Sequence, residues 1–357
     1  MIRAGIAGSG VAAHLHAKSL LSTTEVDVVA VASPTEAHRD GFAAELGATA
    51  YASVQHMLED QALDVISLAL PNRYHAESAV IALQRGVHVI CEKPLAMNLA
   101  EADRMIAAAR ESGALLLYGE ELCFAPRYQK IKEIVDSGAL GPTFMIHHQE
   151  RHHGPYSDWF FDPDQSGGGA LMDIACHGVE LARWIKGKQP VRGVFARVGR
   201  FRHRHAPVDD HALVSLRFED GTFATVEGSW AVAGRPTDRL EVLGRDGNVA
   251  ADLVDGSSLQ TYVEHEPPAS TGSTGRLQQG WSYVIYDEAH QWGWTNQFAH
   301  FVACIKEEAE PIETGEDGRA TLEILMAAYA SDASGREVLL PLESTAPRPI
   351  DLWELAE

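Results

Sequence analysis

The stretch Ala4-Gly5-Ile6-Ala7-Gly8-Ser9-Gly10-Val11-Ala12-Ala13-His14 decides the fold. It leaves an apolar run that begins at Ile2, passes a glycine-rich turn and enters an apolar-periodic segment reaching Leu21, which predicts strand, tight turn and helix in that order. The turn has the form G-x-G-x-x-A. Gly8 permits the sharp turn, Gly10 lets an anionic ligand approach the backbone, and Ala13 lets helix and strand pack closely. A helix starting there points free N–H groups at the ligand, so Gly8, Ser9, Gly10, Val11 and Ala12 are expected to hold the pyrophosphate of a dinucleotide.

Outward from that turn, apolar runs at Val26 to Ala32, Val65 to Leu70, Val87 to Cys91 and Leu115 to Tyr118 alternate with amphipathic stretches. Five strands alternating with helices predict an α/β fold whose N-terminal part is a doubly wound parallel sheet of Rossmann type. The second strand runs into Ser33-Pro34, where NAD-selective folds usually carry an acid for the ribose 2′-hydroxyl. Ser33 therefore favours NAD only slightly and leaves NADP open, with Arg39 one helical turn further on.

Beyond Glu121 the rhythm changes. A helix over Pro126 to Asp136 precedes a strand through Phe144 and Ile146, and a second helix carries Asp173 to Trp184. Runs at Val191 to Phe201, Ala212 to Phe218, Phe223 to Trp230, Arg239 to Leu243 and Val249 to Asp252 follow, joined by turns such as Glu219-Asp220-Gly221 that suit hairpins. The C-terminal part is thus expected to be a second α/β domain with a mostly antiparallel sheet, giving residues 1–121 to cofactor and 122–357 to substrate and oligomerisation. Pro267 to Gly275 reads as a low-complexity loop, and helices around Gln297 to Glu307 and Gly315 to Ala333 precede a strand-like Val338 to Pro341.

Composition narrows the function classes. A chain of 357 residues with 45% hydrophobic and 22% charged residues fits two globular cores, and no apolar run approaches the ~20 residues that cross a bilayer. The net charge of -21 repels phosphate backbones and anionic lipid alike, so neither nucleic acid nor a membrane is an expected partner. Four scattered cysteines without a CxxC pair, and no leader-like segment before Ile2, predict reduced thiols and a cytoplasmic home.

Two motifs carry candidate chemistry. Glu92-Lys93-Pro94 leaves the fourth strand at the edge of the ligand crevice, where Lys93 either donates to a substrate hydroxyl or merely pairs with Glu92 at the surface. Gly167-Gly168-Gly169 opens a helix bearing Asp173 and His177, four residues apart on one helical face, so that the carboxylate could orient an imidazole base. The same spacing also suits a surface pair. The glycine run, which would admit a substrate close to backbone, favours function.

These motifs, in this order, resemble the glucose-fructose oxidoreductase, inositol dehydrogenase and rhizopine-catabolism family (Gfo/Idh/MocA). The resemblance runs from the glycine loop with His16 after it, through Ala69-Leu70-Pro71-Asn72 with His75 and the Glu92-Lys93-Pro94 triplet, to Gly167 to His177 and Phe298-Ala299-His300-Phe301. It implies a Rossmann domain followed by an open, mostly antiparallel sheet that supports homodimers or homotetramers. It further implies that Lys93 polarises a reacting hydroxyl, His177 exchanges its proton, Asp173 holds the site together, and hydride passes to the nicotinamide of NAD. Leu70, Pro71, Asn72, His75, Glu92 and Lys93 would line that cofactor, beside Ser33. The implied substrate is a sugar, cyclitol or glycoside, attacked at a secondary hydroxyl that includes C3 among its candidates. A substrate set of Lys93, Glu121, His153, Tyr156, Trp159, Asp173 and His177 joins these motifs to the aromatic stretch Arg151 to Phe160, since rings beside polar groups suit a sugar.

Alternatives remain at this stage. The 17 histidines invite a metal, but strand alternation sends His147 and Arg151 to one face and His148 and His152 to the other, and no compact ligand signature occurs. A set of Glu121, Asp173, His177 and His211 is conceivable, and no metal is expected. Asp210 reads as a turn cap, and Trp292 and Trp294 as packing. The same motifs would serve an enzyme that recycles bound NAD during elimination or glycoside cleavage, or a sugar sensor without catalysis.

Overall fold

Near-continuous apolar strands need cover on both faces, and the N-terminal part provides it. In the computed structural model, which describes residues 1–255, 259–263, 279–284 and 287–354, six strands form a wholly parallel sheet. They are β1 (Ile2–Ala7), β2 (Val26–Ala32), β3 (Thr49–Tyr51), β4 (Val65–Leu68), β5 (His88–Glu92) and β6 (Leu116–Gly119), in the order β3-β2-β1-β4-β5-β6. Helices α1 (Val11–Leu21), α2 (Glu36–Leu46), α3 (Val54–Asp60), α4 (His75–Leu83) and α5 (Leu99–Ser112) connect them. Five strands were expected. The sixth, β3, has three residues, too few to display a period, and it pairs only at the sheet edge.

From α6 (Pro126–Asp136) the chain enters β7 (Thr143–Arg151), a short α7 (Pro163–Ser166), a wide π-helical turn over Leu171–Ala175 and α8 (Cys176–Ile185). Strands β8 (Val191–Gly199), β9 (His211–Phe218), β10 (Phe223–Ser229), β11 (Thr237–Gly244) and β12 (Gly247–Asp252) follow, then the pair β13 (Leu259–Val263) and β14 (Gly280–Val284). Helices α9 (Glu288–Gln291), α10 (Trp294–Ile305) and α11 (Gly315–Ser334), strand β15 (Val338–Leu339) and α12 (Asp351–Glu354) complete it. The second sheet runs β12-β11-β7-β10-β9-β8-β15, with β7 and β10 parallel and the other neighbours antiparallel. One face takes α8 and α11. The Pro267 to Gly275 loop lies outside the described residues. No helix among the described residues is long and apolar enough to cross a membrane.

Alternation along β7 buries His148 and Glu150 and leaves His147, Gln149 and Arg151 half-buried, with His152 buried just beyond the strand. The histidines therefore divide between faces as the pleat requires. The C-terminal segment returns to the first sheet, where Tyr118 N–H donates to Glu313 O (3.2 Å) and the His16 and Phe298 rings lie 4.8 Å apart.

The glycine run owes its place to Asp209. Its carboxylate accepts from the N–H groups of Gly169 (2.9 Å) and Leu171 (2.7 Å) and from the Tyr329 hydroxyl. A Cβ on Gly169 would stand 1.7 Å from the Asp209 carbonyl oxygen, a backbone atom that cannot step aside. Gly169→Ala should therefore destabilise the protein by about 3 kcal/mol or more, measured by chemical denaturation.

Candidate active site

The first βα turn is built to receive an anion. Gly8 has φ +115°, and a Cβ there would sit 2.1 Å from Ala69 O, so the turn threads tightly between β1 and the end of β4. A Cβ on Gly10 would meet nothing within 4 Å, and no side chain caps the start of α1. Uncapped N–H groups facing open space are what a pyrophosphate requires, and the residues present fit NAD in that respect. Ser9 and Ser33 hydroxyls bond at 2.9 Å, and Arg39 donates from Nη1 to Ser33 O at 3.4 Å. The 2′ side of the cradle thus carries no carboxylate at position 33 and has a guanidinium close by.

Beneath the cradle, His16 on α1 bridges Ser67 of β4 (Nδ1 to Oγ, 2.7 Å) and Glu92 of β5 (Nε2 to Oε1, 2.7 Å). Burial alone would push the Glu92 carboxyl up, yet the His16 hydrogen bond and the nearby charges of His16 and Lys93 hold it below the usual carboxylate range. This clamp fixes the strand end from which Lys93 departs through a cis peptide to Pro94. His75 sits between Pro94 O (3.0 Å) and Leu70 O (2.9 Å), wholly buried. Both ring nitrogens face backbone carbonyls, so His75 shapes this turn. Asn72 donates from Nδ2 to Ser166 O at 2.7 Å, tying the turn after β4 to α7, while Leu70 and Pro71 stay half-buried beside it.

Lys93 Nζ donates to Asp173 Oδ1 (2.9 Å) and to Asp173 O (2.7 Å), and Trp230 Nε1–H holds the other carboxylate oxygen at 3.0 Å. Burial opposes both charges, but each is the other's remedy: Asp173 lifts the Lys93 ammonium well above its usual range, and Lys93 holds Asp173 low. Here the spacing-based expectation fails. Asp173 orients Lys93 rather than His177, because a buried ammonium demands a counter-charge more strongly than a neutral imidazole does.

His177 has another carboxylate. Its Nδ1 lies 2.8 Å from Glu120 Oε1 and 3.9 Å from Glu121 Oε2, all three residues being buried. Burial, then the Lys93 charge, pushes His177 well below the ordinary imidazole range, so it rests neutral. Nε2 has no hydrogen-bond partner among the described residues, which leaves it available to a ligand. Burial raises Glu120 to about 8 and lifts Glu121 well above its usual value, with the charge of Glu120 adding to the latter. Sequence reasoning took Glu121 into the site but not its neighbour Glu120, and it missed Trp230. Two consecutive carboxylates at the C-terminal end of a parallel strand were the available signal for the first; nothing local marked Trp230.

The aromatic stretch after β7 reaches this centre through Trp230, whose ring is packed edge-on by Phe160 (5.9 Å) and Phe161 (6.1 Å). Trp159 stacks on Phe160 at 3.8 Å, and Tyr156 stacks on His152 at 5.0 Å. His153 and Tyr156 are exposed and Trp159 is half-buried, so all three present ring surface outward. Among the described residues His211 joins no metal-binding group, so the set with Glu121, Asp173 and His177 is not assembled. Glu120, Cys176 and His177 do converge, but burial keeps the Cys176 thiol protonated and Glu120 is already bonded to His177. Asp210 caps its turn, accepting from the N–H groups of Phe201, Arg202 and His203 at 2.6–2.8 Å.

Residues 2–120 match the model of the oxidoreductase family with an NAD-binding Rossmann fold, and residues 128–250 match the GFO/IDH/MocA C-terminal domain. The chain belongs to the Gfo/Idh/MocA family. It is an NAD-binding oxidoreductase with the two-sheet architecture expected of that family. Among solved structures it is similar to GenD2 from gentamicin A biosynthesis in complex with NAD, with a TM-score of 0.89 at 30% identity over 96% of this chain and 97% of that one. Among curated relatives, D-glucoside 3-dehydrogenase of Escherichia coli K12 is 29% identical, covering 95% of this chain and 97% of that protein. D-xylose 1-dehydrogenase (NADP(+)) 2 of Haloferax volcanii is 32% identical over 70% of this chain and 74% of that protein.

Two substitutions separate cradle from scaffold. Gly10→Ala should leave thermal stability unchanged within about 0.5 kcal/mol while weakening NAD at least about tenfold in a fluorescence titration, because the added methyl occupies ligand space alone. Trp230→Phe should leave NAD affinity intact and lower kcat, because the Asp173 oxygen that positions Lys93 loses its donor.

Proposed function

We propose that the chain oxidises a secondary hydroxyl of a sugar, cyclitol or glycoside, C3 of a glycosyl unit being the favoured position, and passes the hydride to NAD. The observation that carries this reading is the Lys93 ammonium, buried and aimed by Asp173 and Trp230 at the exit of β5, with the neutral His177 imidazole close to the same centre. Removal of hydride from a carbinol carbon needs the oxygen polarised and its proton taken together, and these two side chains supply the two requirements. Bound NAD supplies the hydride acceptor. Lys93 holds the substrate oxygen, His177 takes its proton at Nε2, and the rings of His153, Tyr156 and Trp159 stack on the sugar, with Glu121 beside the imidazole. The names of the D-glucoside 3-dehydrogenase and of GenD2 support a glycoside and a nicotinamide cofactor.

In this reading residues 1–121 hold the cofactor and residues 122–357 hold the substrate and self-associate. The open face of the second sheet exposes Phe195, Leu213, Phe223 and Leu339, an apolar surface suited to a second copy of the chain. All four cysteines are free and buried, consistent with a cytoplasmic protein.

The test is incubation with NAD and a panel of sugars, inositols and glycosides, following reduced cofactor by absorbance and products by mass spectrometry. A keto sugar formed with equimolar NADH is expected; a cleaved glycoside without net NADH would instead show a recycled cofactor. His177→Ala should lose about 10²–10⁴-fold in kcat with NAD affinity retained. Lys93→Met should lose activity and also about 3 kcal/mol of stability in denaturant titration, since Asp173 is left buried without its counter-charge.

A further inference from the structure

The Glu120 carboxylate is only half satisfied. Oε1 meets His177 Nδ1 at 2.8 Å and Leu122 N–H at 3.3 Å, whereas Oε2 is buried without any partner. A buried carboxylate with one bare oxygen is poorly stabilised as an anion. On the other side, His177 is buried beside the Lys93 ammonium and is poorly placed to remain an imidazolium. The two groups share one hydrogen bond, and the proton has one comfortable end.

From this geometry we infer that Glu120 is the terminal proton acceptor of the reaction, with His177 acting as the relay between substrate and Glu120. The inference rests on the proposed oxidation of a secondary alcohol. In the oxidative direction the substrate O–H bond breaks and its proton bonds to His177 Nε2. The proton already on Nδ1 moves to Glu120, and the C–H electron pair leaves as hydride to oxidised NAD while the C=O bond forms. The pair gains one proton and passes from one negative charge to none, so no second cation is created next to Lys93. Glu120 touches no reacting atom and is a positioning residue that also stores the proton.

Other groups around the pair set its balance without reversing it. Lys93 and His148 favour the Glu120 carboxylate, while Glu92 joins burial in opposing it. Asp173 and Asp238 favour a charged His177, whereas Lys93, His148 and burial oppose it. Glu121 beside the pair, Glu150 on β7 and the Cys176 thiol are all driven by burial towards their neutral forms. With Glu120 lifted to about 8, the pair carries the extra proton below that pH and has lost it above. Alcohol oxidation needs the emptied pair, so its rate rises with pH through about 8; carbonyl reduction needs the loaded pair and falls over the same range.

The experiment combines kinetics with infrared spectroscopy on the full chain. Glu120→Gln keeps an oxygen to accept from Nδ1–H but cannot take the proton. It should slow oxidation by about 10²-fold or more and abolish the ionisation near pH 8, with NAD affinity unchanged and partial rescue by Glu120→Asp. In the wild type, single-turnover oxidation in H₂O/D₂O mixtures should show two protons in flight. An infrared pH titration of the resting protein should show a protonated-carboxyl band that Glu120→Gln lacks. Oxidation within about threefold of wild type with an unaltered pH profile, a one-proton dependence, or an unchanged carboxyl band would each overturn the inference. The infrared measurement needs no sugar, so absence of all sugar oxidation would sink the proposed function while the band still decides the state of Glu120.

Discussion

The ion pair between Lys93 and Asp173 is the constraint on which the site depends. Its two charged groups come from distant parts of the chain, the lysine from the exit of β5 and the aspartate from the π-helical turn before α8. Their side chains are only 14% and 12% exposed, so neither charge survives there without the other. The surrounding structure is organised to hold both ends still. His16 clamps Glu92 and hence the strand end, His75 braces the Pro94 turn, and Asp209 locks the glycine run that leads to Asp173. Trp230 completes the aspartate's hydrogen bonding and, through Phe160 and Phe161, ties it to the loop that would meet a sugar.

Much of the fold was legible in the sequence because its signals are local. Strand, turn and helix at Ile2 to Leu21 are written in a glycine pattern and an apolar period, and hairpin turns such as Glu219-Asp220-Gly221 mark the second sheet. The three residues of β3 were not legible, since so short a strand is specified by its neighbour β2 and not by its own pattern. Nor was the parallel pairing of β7 with β10, which depends on strands nearly 80 residues apart meeting in the fold.

The site was legible by residue type but less so by partnership. The fold brings Lys93, Asp173 and His177 together, yet helical spacing suggested the wrong companion for His177. Two buried bases competed for carboxylates, and the permanently charged one took Asp173. Glu120, distant in sequence, was left to serve the imidazole. Likewise His75 and Asn72, read as cofactor contacts, each bond backbone carbonyls that no local pattern announced. Pairings between elements far apart along the chain are tertiary facts, and residue spacing does not encode them.

The most direct test of hydride removal at the Lys93 and His177 centre uses glycosides deuterated at single ring carbons. Single-turnover reduction of NAD should slow when deuterium replaces hydrogen at C3, and the label should appear at the nicotinamide C4 position. Label retained in the sugar, with the same rate for every deuterated substrate, would contradict oxidation of the ring at that centre.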